Sequence, residues 1–175
     1  MRPTSTVPSE ELGSPICLGV FGAGSGIAMA LATILLWYFG IGVVAAIGTV
    51  TISRARFSPR FEHIFFALLL IPIAVMYLAF LEYFGDHSAL RLELYGVALF
   101  AALGLLGLRL PAILILGYAL HGAWDLAHEA LLQLGPAHGD VRSVTAIPLA
   151  YGVFCAAYDW CMAGYFFTRR AAWRR

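Results

Sequence analysis

Charge is what this 175-residue chain has least of: only 12% of it is Asp, Glu, Lys or Arg, against 61% apolar residues. A soluble domain is about a quarter charged, so the chain lacks the polar surface that water requires. Lysine is missing altogether, and all eleven cations are arginine. There is no basic cluster with interleaved aromatics, and the formal net charge is +1, which excludes nucleic acid as a partner. Cys17, Cys155 and Cys161 supply neither a disulfide framework nor a CxxC pair and read as small packing residues. Internal repeats, low-complexity blocks and soluble modules are also absent. The glycines of "GVFGAGSG" match no phosphate-loop spacing and read as close helix packing.

What is present is apolar sequence in runs of about 20 residues, the length that crosses a hydrocarbon core. The expected fold is therefore all-α, a polytopic transmembrane helical bundle whose partner is the lipid bilayer. Spans are expected at Ile27–Val50, Phe61–Phe84, Ala89–Leu108, Leu110–Gln133 and Val144–Phe167, with breaks at "FGDHS", at Arg109 with Pro111, and at "GPAHGD". A break near "YFGIG" would split the first stretch and make six spans in place of five. Residues 1–15 read as a disordered polar tail without the basic start and apolar run of a signal peptide. Residues 16–170 read as a single transmembrane domain, and 171–175 as a basic cytoplasmic tail.

The arginines orient this bundle. Arg54, Arg56, Arg60, Arg109, Arg169, Arg170, Arg174 and Arg175 fall on one side, and Arg2, Arg91 and Arg142 on the other. The positive-inside rule makes the richer side cytoplasmic, as for a bacterial inner-membrane protein with its C-terminus inside.

One span departs from the apolar norm. "LILGYALHGAWDLAHEALLQLG" carries His121, Asp125, His128 and Glu129. At about 100° per residue these four fall within an arc of about 100°. An ionisable group at the bilayer centre costs at least about 2.5–3.5 kcal/mol, so this arc must face the bundle interior. Counting about 1.5 Å per residue puts His121 roughly 16 Å from the cytoplasmic end and Asp159, on the last helix, at a similar depth. Glu82 and Glu93 belong to the outer half, and Asp86, His87, His138 and Asp140 to the outer loops. The site is expected to open outward.

Two imidazoles and a carboxylate are an ordinary ligand set for a divalent metal such as zinc, iron or manganese. His121, Asp125 and His128 are the expected ligands, with Glu82 or Glu93 completing the shell and Glu129 or Asp159 acting as base or orienting group. The paired Glu-x-x-His motifs of di-iron bundles are absent. Each of these side chains could instead be hydrogen-bonding glue between helices. His63, beside Glu62 and Arg60, reads as part of a solvated inner boundary. Tyr151, Tyr158, Trp37, Trp124 and Trp160 read as packing residues or interfacial anchors.

The stretches "LLGLRLPAILILGYALHGAWDLAHE" and "YGVFCAAYDWCMAGYFF" resemble an uncharacterised family of small bacterial integral-membrane proteins. That family's pattern is His, Trp-Asp and His on the penultimate helix, with a Cys shortly before an Asp on the last. The matching positions are His121, Trp124, Asp125, His128, Cys155 and Asp159, with Glu93 matching an earlier acidic residue. Glu129 stands where the family usually has a second His. The resemblance covers roughly the C-terminal half and implies a five-helix membrane fold, with no established activity.

Function is expected along one of four lines. The first is a metal-dependent enzyme of hydrolase type acting on a lipid-like substrate. The second is a metal-ion or proton conduit, for which a single small bundle would need to form a homo-oligomer. The third is a metal-free acid catalyst using Glu82 and Asp159, and the fourth a non-catalytic interaction subunit.

Overall fold

A computed structural model describes residues 20–85, 87–134 and 144–174, with side chains from residue 26 onward. The expected tail at 1–15, and Asp86, His138, Asp140 and Arg142, lie outside the described residues. Five helices account for the described architecture: α1 (Val20–Arg56), α2 (Pro59–Phe84), α3 (Leu90–Gly107), α4 (Pro111–Leu134) and α5 (Tyr151–Trp173). The described residues contain no strand. Two compact units are present, Met1–Thr33 and Ile34–Arg175. The described part of the first is helical backbone, in which the Thr33 hydroxyl donates to the Met29 carbonyl at 2.8 Å.

Among the described residues, three segments are long and apolar enough to cross a membrane: Gly26–Arg56, Pro59–Phe84 and Leu90–Gly107. α4 and α5 are less apolar because they carry the ionisable side chains. The first helix, expected from Ile27, begins at Val20 within the glycine-rich stretch, and no break occurs at "YFGIG". Glycine in a helix interior costs about 1 kcal/mol. Without water, an unpaired backbone group costs several times more, so the helix continues through Gly40 and Gly42.

Local chemistry fixes the ends. Ser58 caps α2, its hydroxyl accepting from the Phe61 N–H at 3.3 Å, and Pro59 follows where a missing N–H does no harm. Gly85 closes α2 with φ 66°, a left-handed conformation that glycine adopts freely. α5 was expected from Val144 but begins at Tyr151, because residue 150 turns left-handed. Ala150 has φ 62° and is the one described non-glycine residue with positive φ. At its other end α5 continues to Trp173, so most of the expected basic tail is helix.

The helices alternate in direction, and their contacts sort into two ends. Ser53, Glu62, His63, Gly107, Arg169 and Trp173 meet at the arginine-rich end. Glu93, His128, Glu129, Thr145, Ala150 and Gly152 meet at the other. Between them lies an apolar core that includes Phe66, Leu70, Phe100, Leu114, Met162 and Phe166. Large apolar side chains such as Leu36, Trp37 and Tyr95 point outward, as lipid contact requires.

Candidate functional site

α4 packs closely on α5, and glycine makes the approach close. A Cβ at Gly152 would run into the backbone carbonyl of Asp125 and sit 2.9 Å from the Glu129 Cβ. A Cβ at Gly122 would meet the Trp160 indole nitrogen at 2.9 Å. This crossing brings Asp159 of α5 against His121 and Asp125, which lie one turn apart on α4. His121 Nδ1 is 2.8 Å from Asp159 Oδ2 and 3.0 Å from Asp125 Oδ2. From α2, the Tyr77 hydroxyl donates to Asp125 Oδ1 at 2.5 Å.

The group is dry. His121 is 3% exposed, Asp125 0% and Asp159 2%. One potential ligand atom from each residue lies within 4.8 Å of the other two. A neutral imidazole has a single N–H to donate. Nδ1 is hydrogen-bonded to Asp159, so Asp125 Oδ2, though 3.0 Å from the same nitrogen, has no hydrogen bond of its own, and neither has His121 Nε2. Buried polar atoms without partners are rare, and two of them fall in this one cluster.

A second layer lies nearer the other end of α4. His128 Nε2 is 2.9 Å from Glu93 Oε1, which also accepts the Thr145 N–H at 3.3 Å. His128 Nδ1 faces the Trp124 carbonyl at 3.0 Å. Both ring nitrogens of His128 thus face acceptors, and neither is open to an ion shared with His121. The Tyr77 ring joins the layers, with centroids 4.5 Å from the His128 ring and 6.4 Å from the His121 ring.

The site residues expected from sequence therefore divide. His121, Asp125 and Asp159 come together, while His128 and Glu93 form a separate buried pair. Glu129, expected as a base or orienting group, is buried and hydrogen-bonded at the start of α5. Its carboxylate accepts the Ala150 N–H at 3.0 Å, the Gly152 N–H at 3.1 Å and the Gln133 amide at 3.2 Å. It caps the start of α5, where backbone donors lack helical partners. Glu82 stands apart from this group: its side chain is 80% exposed at the end of α2, 4.0 Å from His87. An acid pair of Glu82 with Asp159 is not formed.

Sequence reasoning missed Tyr77, whose only signal was a single hydroxyl inside the apolar run "IPIAVMYLAF". It also missed a cavity of about 310 Å³, lined by Ala45, Leu69, Ile73, His121, Tyr151, Phe154, Cys155, Tyr158 and Asp159. The walls are largely apolar, and His121 and Asp159 are its acid–base groups. Tyr151 and Tyr158, read as packing residues, flank this chamber together with Cys155.

At the arginine-rich end the solvated boundary expected around His63 is replaced by a buried one. Glu62 is 0% exposed, and its Oε2 accepts from Arg169 Nε at 3.0 Å, Arg169 Nη2 at 2.9 Å and Trp173 Nε1 at 2.9 Å. Ser53 donates to Oε1 at 3.2 Å, and the Tyr165 hydroxyl donates to the same oxygen. The His63 ring stacks on Trp173 with centroids 4.8 Å apart, and its Nε2 bonds the Gly107 carbonyl at 2.8 Å. These contacts satisfy one another and leave nothing open for chemistry.

His121, Asp125 and Asp159 offer one nitrogen and carboxylate oxygens, a donor set that suits zinc, iron or manganese. No protein-family model, curated protein or solved structure matches this chain.

Proposed function

We propose that this chain is a multi-pass membrane enzyme in which His121, Asp125 and Asp159 hold a divalent metal beside a chamber for a lipid-like substrate. In this reading all five helices cross the bilayer of a bacterial inner membrane, with the C-terminus in the cytoplasm. α4 and α5 cross because their ionisable groups are turned inward, away from lipid. The observation that carries the metal is the convergence of three buried ligand atoms, two of their groups retaining a polar atom without a partner. With both carboxylates ionised and the imidazole neutral the group would carry a net −2, and burial of uncompensated charge is strongly unfavourable. A divalent cation brings the group to zero.

Tyr77 holds Asp125 in place, since its hydroxyl occupies Oδ1 and leaves Oδ2 turned toward His121. Such orientation of a ligand by a neighbour is worth about 10–100-fold in affinity. A metal there would supply an activated water for hydrolysis. The apolar walls, including Leu69, Ile73 and Phe154, suit a hydrocarbon chain whose reactive group lies at His121 and Asp159.

A second reading rests on the 2.8 and 3.0 Å distances from a single imidazole nitrogen to two carboxylates. That arrangement can also be brought to zero by two protons, making a metal-free acid or proton relay. Thermal unfolding of the detergent-purified full chain distinguishes the two. Saturation at about 100 times Kd stabilises a folded protein by about 2.7 kcal/mol. Zinc or manganese should raise the melting temperature of the wild type, and EDTA should reverse it. Asp125→Asn should stay folded and lose the response. No response in the wild type favours the proton reading.

A further inference from the structure

The arginine-rich end holds a feature independent of the metal reading. A cleft of about 920 Å³ opens between the start of α2 and the end of α5. Arg60, His63, Ile64 and Leu68 of α2 line it together with Trp173 and Arg174. Arg60 and Arg174 are exposed, and neither is within ion-pair reach of an acidic group among the described residues. The nearest acidic residue in sequence, Glu62, is fully engaged by Arg169, Trp173, Tyr165 and Ser53. Among the described residues no acidic group pairs with these two arginines, so the described part of the cleft is positively charged.

We propose that this cleft binds the phosphate headgroup of an anionic phospholipid. Arg60 and Arg174 would take the phosphate by charge-assisted hydrogen bonds, for which a guanidinium presents a planar fork of donors. The apolar continuation favours a lipid over a free anion. Ile64 is 38% exposed and Leu68 45% exposed, and they follow Arg60 one and two turns further along α2, where an acyl chain could lie. A basic pocket between membrane helices that runs into an apolar groove matches both parts of such a lipid. The bound lipid would bridge the two helix ends, so it would brace the arginine-rich end of the bundle.

Native mass spectrometry of the full chain in detergent, titrated with phosphatidylglycerol, tests this directly. One phosphatidylglycerol should be retained per chain, while phosphatidylcholine binds far more weakly. Arg60→Gln with Arg174→Gln should weaken binding about 30-fold, the factor for two basic side chains near a phosphate. Arg56→Gln, outside the cleft, should change nothing. If the double Gln variant unfolds, Arg60→Lys with Arg174→Lys keeps both charges and should retain most of the binding. Equal binding by wild type and double Gln variant would overturn the site, as would loss in the Lys variant as deep as in the Gln variant. Equal binding of phosphatidylcholine would overturn the anionic requirement. Displacement of the lipid by inorganic phosphate at equal concentration would assign the cleft to the free ion instead.

Discussion

Replacing Glu129 by alanine separates a helix cap from a catalytic base. The substitution removes the acceptor of two backbone donors, Ala150 N–H at 3.0 Å and Gly152 N–H at 3.1 Å. It also frees the Gln133 amide, but Gln133 is exposed and can find another partner. Leaving a buried donor unsatisfied costs about 1–3 kcal/mol. The left-handed Ala150, at φ 62°, is a conformation that costs an L-residue about 1–2 kcal/mol, and its release when Glu129 is removed offsets part of that loss. With some relaxation of the α5 start, the net loss should be about 2–4 kcal/mol. Glu129→Gln keeps one acceptor oxygen and should lose about half of that. Denaturant or thermal unfolding of the purified full chain measures the loss, with metal content determined on the same samples. Stability should fall while bound metal stays at the wild-type level. Unchanged stability with loss of metal or activity would refute the capping role and restore Glu129 to the site.

Tyr77→Phe removes the hydroxyl that orients Asp125; metal affinity should fall about 10–100-fold by competition titration, with helicity by circular dichroism unchanged. Glu62→Gln breaks a buried ion pair with Arg169, and such losses cost about 3–5 kcal/mol. Because the Arg169 side chain is 22% exposed, the lower end is expected in unfolding experiments, with no effect on metal content. For orientation, a cysteine at position 58 or 174 should react with an impermeant thiol reagent only after the inner membrane is opened, and one at position 87 without opening it. The reverse labelling would invert the topology.

The helices were legible because apolar run length and Gly/Pro breaks are local properties. The face of α4 was legible for the same reason: spacing alone turns His121 and Asp125 inward. Partner choice was not, because a helical wheel discards depth. His121 and His128 share a face, yet seven residues separate them by about 10 Å along the axis, too far to share one ion. Glu129 lies within the same arc, but its depth places it at the start of α5, where free backbone donors claim it. Asp159 was placed correctly in depth because α5 runs antiparallel to α4. Tyr77 joins the site from α2, and no local pattern specifies that approach. Glu62 and His63 were misread for a related reason: the groups that bury them, Arg169 and Trp173, arrive from the far end of the chain.

Elemental analysis of the purified full chain, prepared without chelator and after incubation with zinc or manganese, tests the proposed centre most directly. Wild type should carry about one divalent metal per chain, as a single neutralised site requires. His121→Ala and Asp159→Asn should lose it, while His128→Ala, which disrupts only the pair with Glu93, should keep it. Wild-type protein that remains metal-free, or a His128→Ala variant as depleted as His121→Ala, would contradict a metal held by His121, Asp125 and Asp159.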